Sequence, residues 1–204
     1  MKIILGSQSP RRKKILSEIL PEFEIIIPQI DETHFSDEKP QHFVTRISEE
    51  KAANIKSQVQ NKTNANLVIT SDTIVTYDNH ILGKPSSYED AVRTLSLLSS
   101  KTHEVITAIT LSILSDTIDI IETKKEHTAV TFKTLTNETI QTYLDIIKYQ
   151  DKAGSYAIQE QGAMIIESFQ GSLSNIIGFP LRLFYGMLLD FNLVQSLIIN
   201  KKSQ

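Results

Sequence analysis

Apolar and polar positions along this chain follow two periods, and the switches between them mark its elements. Ile3 to Leu5 form a short apolar run that reads as a strand. From Ser9 the period changes. Ile15, Leu16, Ile19 and Leu20 make a helical stripe, with Ser9 as N-cap and Pro10 at the first helical position. "FEIIIP" at Phe23 to Pro28 reads as a buried strand, and the polar, Pro-ended "DETHFSDEKP" as a loop. Phe43, Val44, Ile47, Ile55 and Val59 keep helical spacing from Gln41 to about Gln60. "NLVITSDTIVTYDNHIL" reads as a strand, a break at Ser71-Asp72, and a second strand turning through Asp78-Asn79. Ser87 and Asp90 make a capping box for a helix to about Leu98. Glu104–Leu114 and Thr117–Phe132 are β-rich and read as a hairpin joined near Ser115-Asp116. A helix over Thr136–Ile147, a buried strand over Met164–Phe169 and an amphipathic helix over Pro180–Phe191 follow, then a frayed tail, "NKKSQ".

Strands alternating with helices, and no Pro/Gly-rich linker, imply an α/β domain over residues 1–204 with two lobes. The central sheet should be mixed: the consecutive long strands pair antiparallel, while the N-terminal units can be parallel. Composition excludes several classes. No run of eighteen apolar residues is present, so no membrane span is expected. The apolar stretch behind Lys2 is too short for a signal-peptide core, and with zero cysteines a cytoplasmic location is expected. The lack of cysteine also rules out disulfides and thiolate metal sites. A net charge of -3 and a pI near 6.0 argue against a nucleic-acid partner, which needs a broad basic face.

Within this ordinary composition some charges are oddly placed. "LGSQSPRRKKIL" puts Arg11 and Arg12 in the first turn of a helix, whose N-terminus disfavours cations. The penalty reverses if an anion sits there, and Ser7, Ser9 and two guanidinium forks would suit phosphate. The alternative is a solvated helix face. Asp72 follows an apolar strand between Ser71 and Thr73, where it is either a functional carboxylate or an Asx-type turn residue. Lys84 lies on the "GKP" turn, as a ligand for anions or as a plain surface lysine. Lys51 in "RISEEKAAN" either serves the same site or pairs with neighbouring glutamates. "DKAGSYAIQEQGA" is a polar loop before a strand and suits binding, or is a simple turn.

Taken together, the pieces resemble the Maf family of nucleoside triphosphate pyrophosphatases. The resemblance rests on "GSQSPRR", "QIDE" (Gln29–Glu32), "EKA" (Glu50–Ala52), "SDTIV" (Ser71–Val75) and "LGKP" (Leu82–Pro85). It continues through "HEVITAI" (His103–Ile109), "DKAGSYAIQ" (Asp151–Gln159) and "GSLSNIIGFPL" (Gly171–Leu181), in the family's order. It implies a mixed central sheet flanked by helices, two-lobed with a cleft, similar to the Maf/inosine triphosphatase-like fold. It also implies cleavage of a nucleoside triphosphate to monophosphate and pyrophosphate with Mg²⁺ or Mn²⁺, and a homodimer. Ser7, Arg11, Arg12, Lys51 and Lys84 would bind the triphosphate. Asp72 matches the family's proton acceptor, and since an ordinary Asp is a poor base at neutral pH it could instead hold the metal, with Glu32 as second ligand. Gln159 and Thr73 match positions that mark the dTTP/UTP branch, and an amide complements the uracil or thymine edge. Three departures stand out. Ala157 and Glu160-Gln161 replace common glycines, and Gly6 stands where alanine is usual. The alternatives are a pyrophosphatase for 7-methylguanosine triphosphate or other modified nucleotides, and a septum regulator acting by protein binding.

Overall fold

The structure is a computed structural model, and it describes residues 1–20, 22–59 and 65–199. The chain opens with β1 (Lys2–Gly6), α1 (Pro10–Ile19), β2 (Glu24–Ile25) and α2 (Pro40–Gln58). β3 (Asn66–Tyr77), β4 (His80–Leu82), α3 (Tyr88–Leu98), β5 (Thr102–Leu114) and β6 (Asp119–Phe132) follow. The chain then runs through α4 (Asn137–Ile146), β7 (Ile166–Gln170), α5 (Leu173–Ile177) and α6 (Leu181–Asp190). The seven strands form one sheet in the order β2-β1-β3-β5-β6-β7, with β4 also on β3. β1 is parallel to β2 and β3, and every other pair is antiparallel, which is the mixed sheet expected.

Helices cover both faces because the strands are apolar on both. On β3, Leu67 and Ile69 join Leu16, Leu20, Phe184 and Met187 of α1 and α6 in one core cluster. Val68 packs with Ile55 of α2 on the opposite face, and Ile74 with Phe43 and Ile47. A fourth cluster sets α3 and α4 against Val75, Val105 and Phe132 at the far end of the sheet. No helix of the described residues is long and apolar enough to cross a membrane.

Several sequence expectations change. β3 is continuous through Ser71 and Asp72, which pair with Ile109 and Ala108 of β5, so there is no break and no Asx turn. The polar residues look like a break in one dimension, but they lie where β3 has no partner between the β1 and β4 ladders. "FEIIIP" is not a buried strand. Only Glu24 and Ile25 pair with β1, at the sheet edge, and Ile25 and Ile27 are exposed. Met164–Phe169 likewise shrinks to β7 on the opposite edge. Ile165 is buried there but Phe169 is 42% exposed. Edge strands bury less than their composition suggests, since one side has no neighbouring strand. The capping box at Ser87 is half made. Ser87 Oγ accepts from the Asp90 N–H, but the Asp90 carboxylate turns to Ser86. The tail "NKKSQ" and Gln60 lie outside the described residues.

Candidate active site

The parallel ladder of β1 with β3 ends at Gly6 opposite Thr70, and the antiparallel ladder of β4 begins only at Val75. Between these points β3 has β5 on one side and no strand on the other. Side chains from both faces of residues 72 to 74 therefore reach one opening, at the carboxyl end of β1, where open α/β sheets characteristically bind ligands. A cavity of about 1480 Å³ lies there. Ser7, Arg11, Arg12, Glu32, Lys51, Asp72, Thr73, Lys84 and Gln159 all line it.

The turn from β1 into α1 is built for close approach. A Cβ on Gly6 would stand 2.6 Å from the Thr70 methyl and 2.9 Å from Ile55, so glycine is dictated by these neighbours. Ser9 caps α1, accepting from the Arg12 N–H at 3.4 Å, and Ser7 Oγ accepts from the Ser9 N–H at 3.1 Å. The run "RRKK" then splits. Lys13 and Lys14 are exposed, whereas Arg12 folds inward and is no solvated face. Its Nε donates to the Gly178 carbonyl at 2.9 Å, Nη2 to Thr73 Oγ1 at 2.9 Å and Nη1 to Ser7 Oγ at 3.3 Å. All three acceptors are neutral. Burial lowers its proton affinity, the Asp72 charge restores part of it, and Arg11 lowers it again. Arg11 is half-buried and donates to Asp151 Oδ2 at 3.2 Å.

On the other face of β3 the arrangement is acidic. Lys51, 7% exposed on α2, donates to Asp72 Oδ1 at 2.8 Å and lies 2.8 Å from Glu32 Oε1. The alternative that Lys51 serves its sequence neighbours fails, because Glu50 pairs with Arg46. Partial burial pushes the Glu32 carboxyl up, but Lys51, Lys84 and Arg12 outweigh it and hold the group below its usual range. Asp72 Oδ2 has no hydrogen-bond partner among the described residues. Two carboxylates share one directly bonded ammonium, which leaves further carboxylate oxygens for a hard cation. Among the described residues no three acidic or imidazole groups gather as a ready metal cage. A hexacoordinate ion here would need substrate oxygens to complete its shell, as Mg²⁺ commonly does.

Lys84 is exposed on its turn, which Gly154 secures by donating its N–H to the Gly83 carbonyl at 3.0 Å. Gln159 is exposed at the cavity rim, and its side chain makes no hydrogen bond among the described residues. Beneath it, Tyr156 donates to or accepts from His103 Nε2 at 2.8 Å, in an aromatic cluster with Phe132. Burial holds His103 down to about 4.

Four participants escaped the residue-by-residue reading. Gly178, with φ +108°, ends α5 and presents the carbonyl that Arg12 grips. Asn175 anchors that helix, donating to the Val105 carbonyl at 2.9 Å and Thr128 Oγ1 at 2.8 Å. Asp151 and Lys152 join the opposite rim. Their only sequence signals were the strings "GSLSNIIGFPL" and "DKAGSYAIQ".

Comparison with known proteins follows the same outline. The profile of a family described as "Maf-like protein" matches residues 2–191. A protein of Acetivibrio thermocellus named dTTP/UTP pyrophosphatase is 40% identical over 94% of this chain and 96% of its own. One of the same name from Thermosipho africanus is 38% identical over 96% of each. Among solved structures, the Ham1 protein of Staphylococcus aureus aligns over 93% of this chain and 99% of its own. At 14% identity and a TM-score of 0.43, that likeness is too slight to argue from.

Proposed function

The chain belongs to the Maf-like protein family, and on that premise we propose that it hydrolyses dTTP and UTP to the monophosphate and pyrophosphate, clearing the nucleotide pool. The observation that carries this reading is the pairing, within one cavity, of a guanidinium on neutral acceptors with a carboxylate-rich cluster across the strand. The first calls for an anion and the second for a cation, and a metal-bound triphosphate is both. Relatives about 40% identical along nearly their whole length bear the dTTP/UTP name.

Each residue then has a task. Arg12, Arg11, Lys84 and the Ser7 hydroxyl bind and align the triphosphate, the main requirement for this chemistry. Lys51 holds the Asp72 carboxylate by Oδ1, so that Oδ2 is presented to orient the attacking water and take its proton. In the alternative role, Asp72 and Glu32 would hold Mg²⁺ or Mn²⁺, which when bound offsets phosphate charge and lowers the pKa of a water ligand. Thr73 sets the Arg12 fork, and the Gln159 amide reads the pyrimidine edge. We further propose a cytoplasmic homodimer, to be checked by sedimentation and cell fractionation.

The deciding experiment is a panel of dTTP, UTP, CTP, ATP, GTP and 7-methylguanosine triphosphate with Mg²⁺, scored for pyrophosphate release. The reading expects dTTP and UTP to lead. Preference for a purine or methylated guanosine triphosphate moves the chain to the modified-nucleotide branch, and no turnover at all favours a role in protein binding.

A further inference from the structure

Beside the Gln159 turn lies a charge that hydrolysis as described leaves unused. Lys152 is only 4% exposed, yet carries an ammonium. Its Nζ stands 2.9 Å from Asp151 Oδ1 and 3.2 Å from Glu160 Oε1, and it also donates to the Lys148 carbonyl. Asp151 turns its other oxygen to Arg11 at 3.2 Å. Glu160, Lys152, Asp151 and Arg11 thus form one chain of alternating charge, from the turn bearing Gln159 to the first turn of α1. A lysine this deeply buried is tolerated only when paired, and here carboxylates meet it on two sides.

The turn hangs from two points. Tyr143, fully buried, donates its hydroxyl to the Ala157 carbonyl at 3.2 Å and accepts the Ala157 N–H at 3.1 Å. Three residues on, Lys152 holds Glu160. Gln159 sits between these anchors, and its side chain makes no hydrogen bond among the described residues. Just beyond, Gln161 is left-handed at φ +54°, a conformation costly to a residue with a Cβ, so the turn does not hold its shape by backbone preference alone.

We infer that Lys152 and Glu160 are positioning residues for base selection: their ion pair fixes the Gln159 turn and, through Asp151 and Arg11, keeps the base end of the site in register with the phosphate end. The inference rests on the nucleotide reading above. A recognition amide discriminates only when its own geometry is locked by the groups behind it. Loosening the pair lets the turn adapt to other bases, which costs the preferred base binding and costs the rejected bases little.

The test is steady-state kcat and KM for dTTP, UTP, CTP, ATP and GTP with Mg²⁺, on wild type, Glu160→Gln, Lys152→Met and the double variant. Thermal melts confirm that each is folded. We expect Glu160→Gln to raise KM for the preferred nucleotide about fivefold to tenfold and to flatten the ratio of kcat/KM between preferred and rejected bases by a similar factor. The kcat values should change far less than KM. The double variant should be no worse than the more affected single variant, because both changes break one pair. If Lys152→Met does not fold, Glu160→Gln, at the half-buried end of the chain, decides the matter. An unchanged base ratio in folded Glu160→Gln would overturn the inference, whether activity is intact or lowered evenly for every nucleotide. A wild type that prefers a purine would sink the pyrimidine assignment alone, since the pair is still judged by whether that preference flattens. A wild type with no base preference would sink both.

Discussion

Asp72 and Thr73 are adjacent on β3, yet the two faces they occupy hold opposite charge. On the Asp72 side one ammonium is shared between two carboxylates, each at 2.8 Å, leaving the cluster net negative. On the Thr73 side a guanidinium is satisfied by a carbonyl and two hydroxyls, with no carboxylate on it, leaving that side net positive. The Asp72 and Arg12 charges act on each other through space without direct contact, whereas a stability-driven design would have joined them in an ion pair. Keeping them apart on two faces of one strand is a way to hold a ligand that carries both signs. The opening exists because β1 stops at Gly6, opposite Thr70, and β4 pairs with β3 only from Val75 onward, opposite Leu82.

The largest effect should come from the acidic face. Asp72→Asn is close to isosteric and leaves Lys51 with Glu32, so the fold should survive. We expect kcat to fall by roughly two orders of magnitude or more, the range of acid–base and metal roles. Near wild-type turnover at saturating Mg²⁺ would remove Asp72 from the chemistry.

The basic face should respond next. Arg12→Ala should cut kcat/KM for dTTP by roughly tenfold to a hundredfold, the worth of charge-assisted hydrogen bonds. Its melting temperature should stay the same or rise slightly, because the change removes a half-buried cation that has no carboxylate ion pair among the described residues and opposes the α1 dipole. Arg12→Lys should recover little, since a point charge cannot span Gly178, Thr73 and Ser7 together. A large fall in melting temperature with unaltered kinetics would make Arg12 a structural residue and dissolve the contrast between the faces.

The rim should matter less to rate than to choice. Gln159→Ala should lower the preference for dTTP over CTP by about tenfold, while the best kcat changes less. Kinetics with the five common triphosphates on both proteins would check this. An unaltered preference would move base reading elsewhere.

The smallest effect separates both faces from the framework under them. His103 is held at about 4 by burial, against 6.5 as its ordinary value. Below pH 6.5 the unfolded chain takes up a proton that the folded chain refuses, so stability should fall between pH 6.5 and 4. The melting temperature should drop by a few degrees over that range. His103→Gln should flatten that part of the curve, and an unchanged slope in the variant would place the titration elsewhere.

Much of this site was legible in the chain because its pieces are local. Ser9 and Pro10 start a helix wherever they precede an apolar stripe. Asp78 and Asn79 make their tight turn with left-handed backbone, as the polar pair between two strands suggested. The misreadings were about neighbours. Whether Ser71-Asp72 interrupts a strand depends on β5 lying alongside, 36 residues later at Ala108. Whether Phe23–Pro28 and Met164–Phe169 are buried depends on their places at the two ends of the sheet order.

By itself, then, the sequence determined most of the elements, the mixed sheet and the residue types the chemistry needs, because propensity, capping and periodicity act within a few residues. Tertiary structure alone decided which charges meet. Lys51 reaches Glu32 and Asp72 rather than its neighbouring glutamates, Arg12 reaches Gly178 across 166 positions, and Lys152 joins Glu160 to Asp151. The physical reason is that an ion pair or a hydrogen bond is set by distances of about 3 Å, and those distances exist only once the sheet has brought remote segments to one opening.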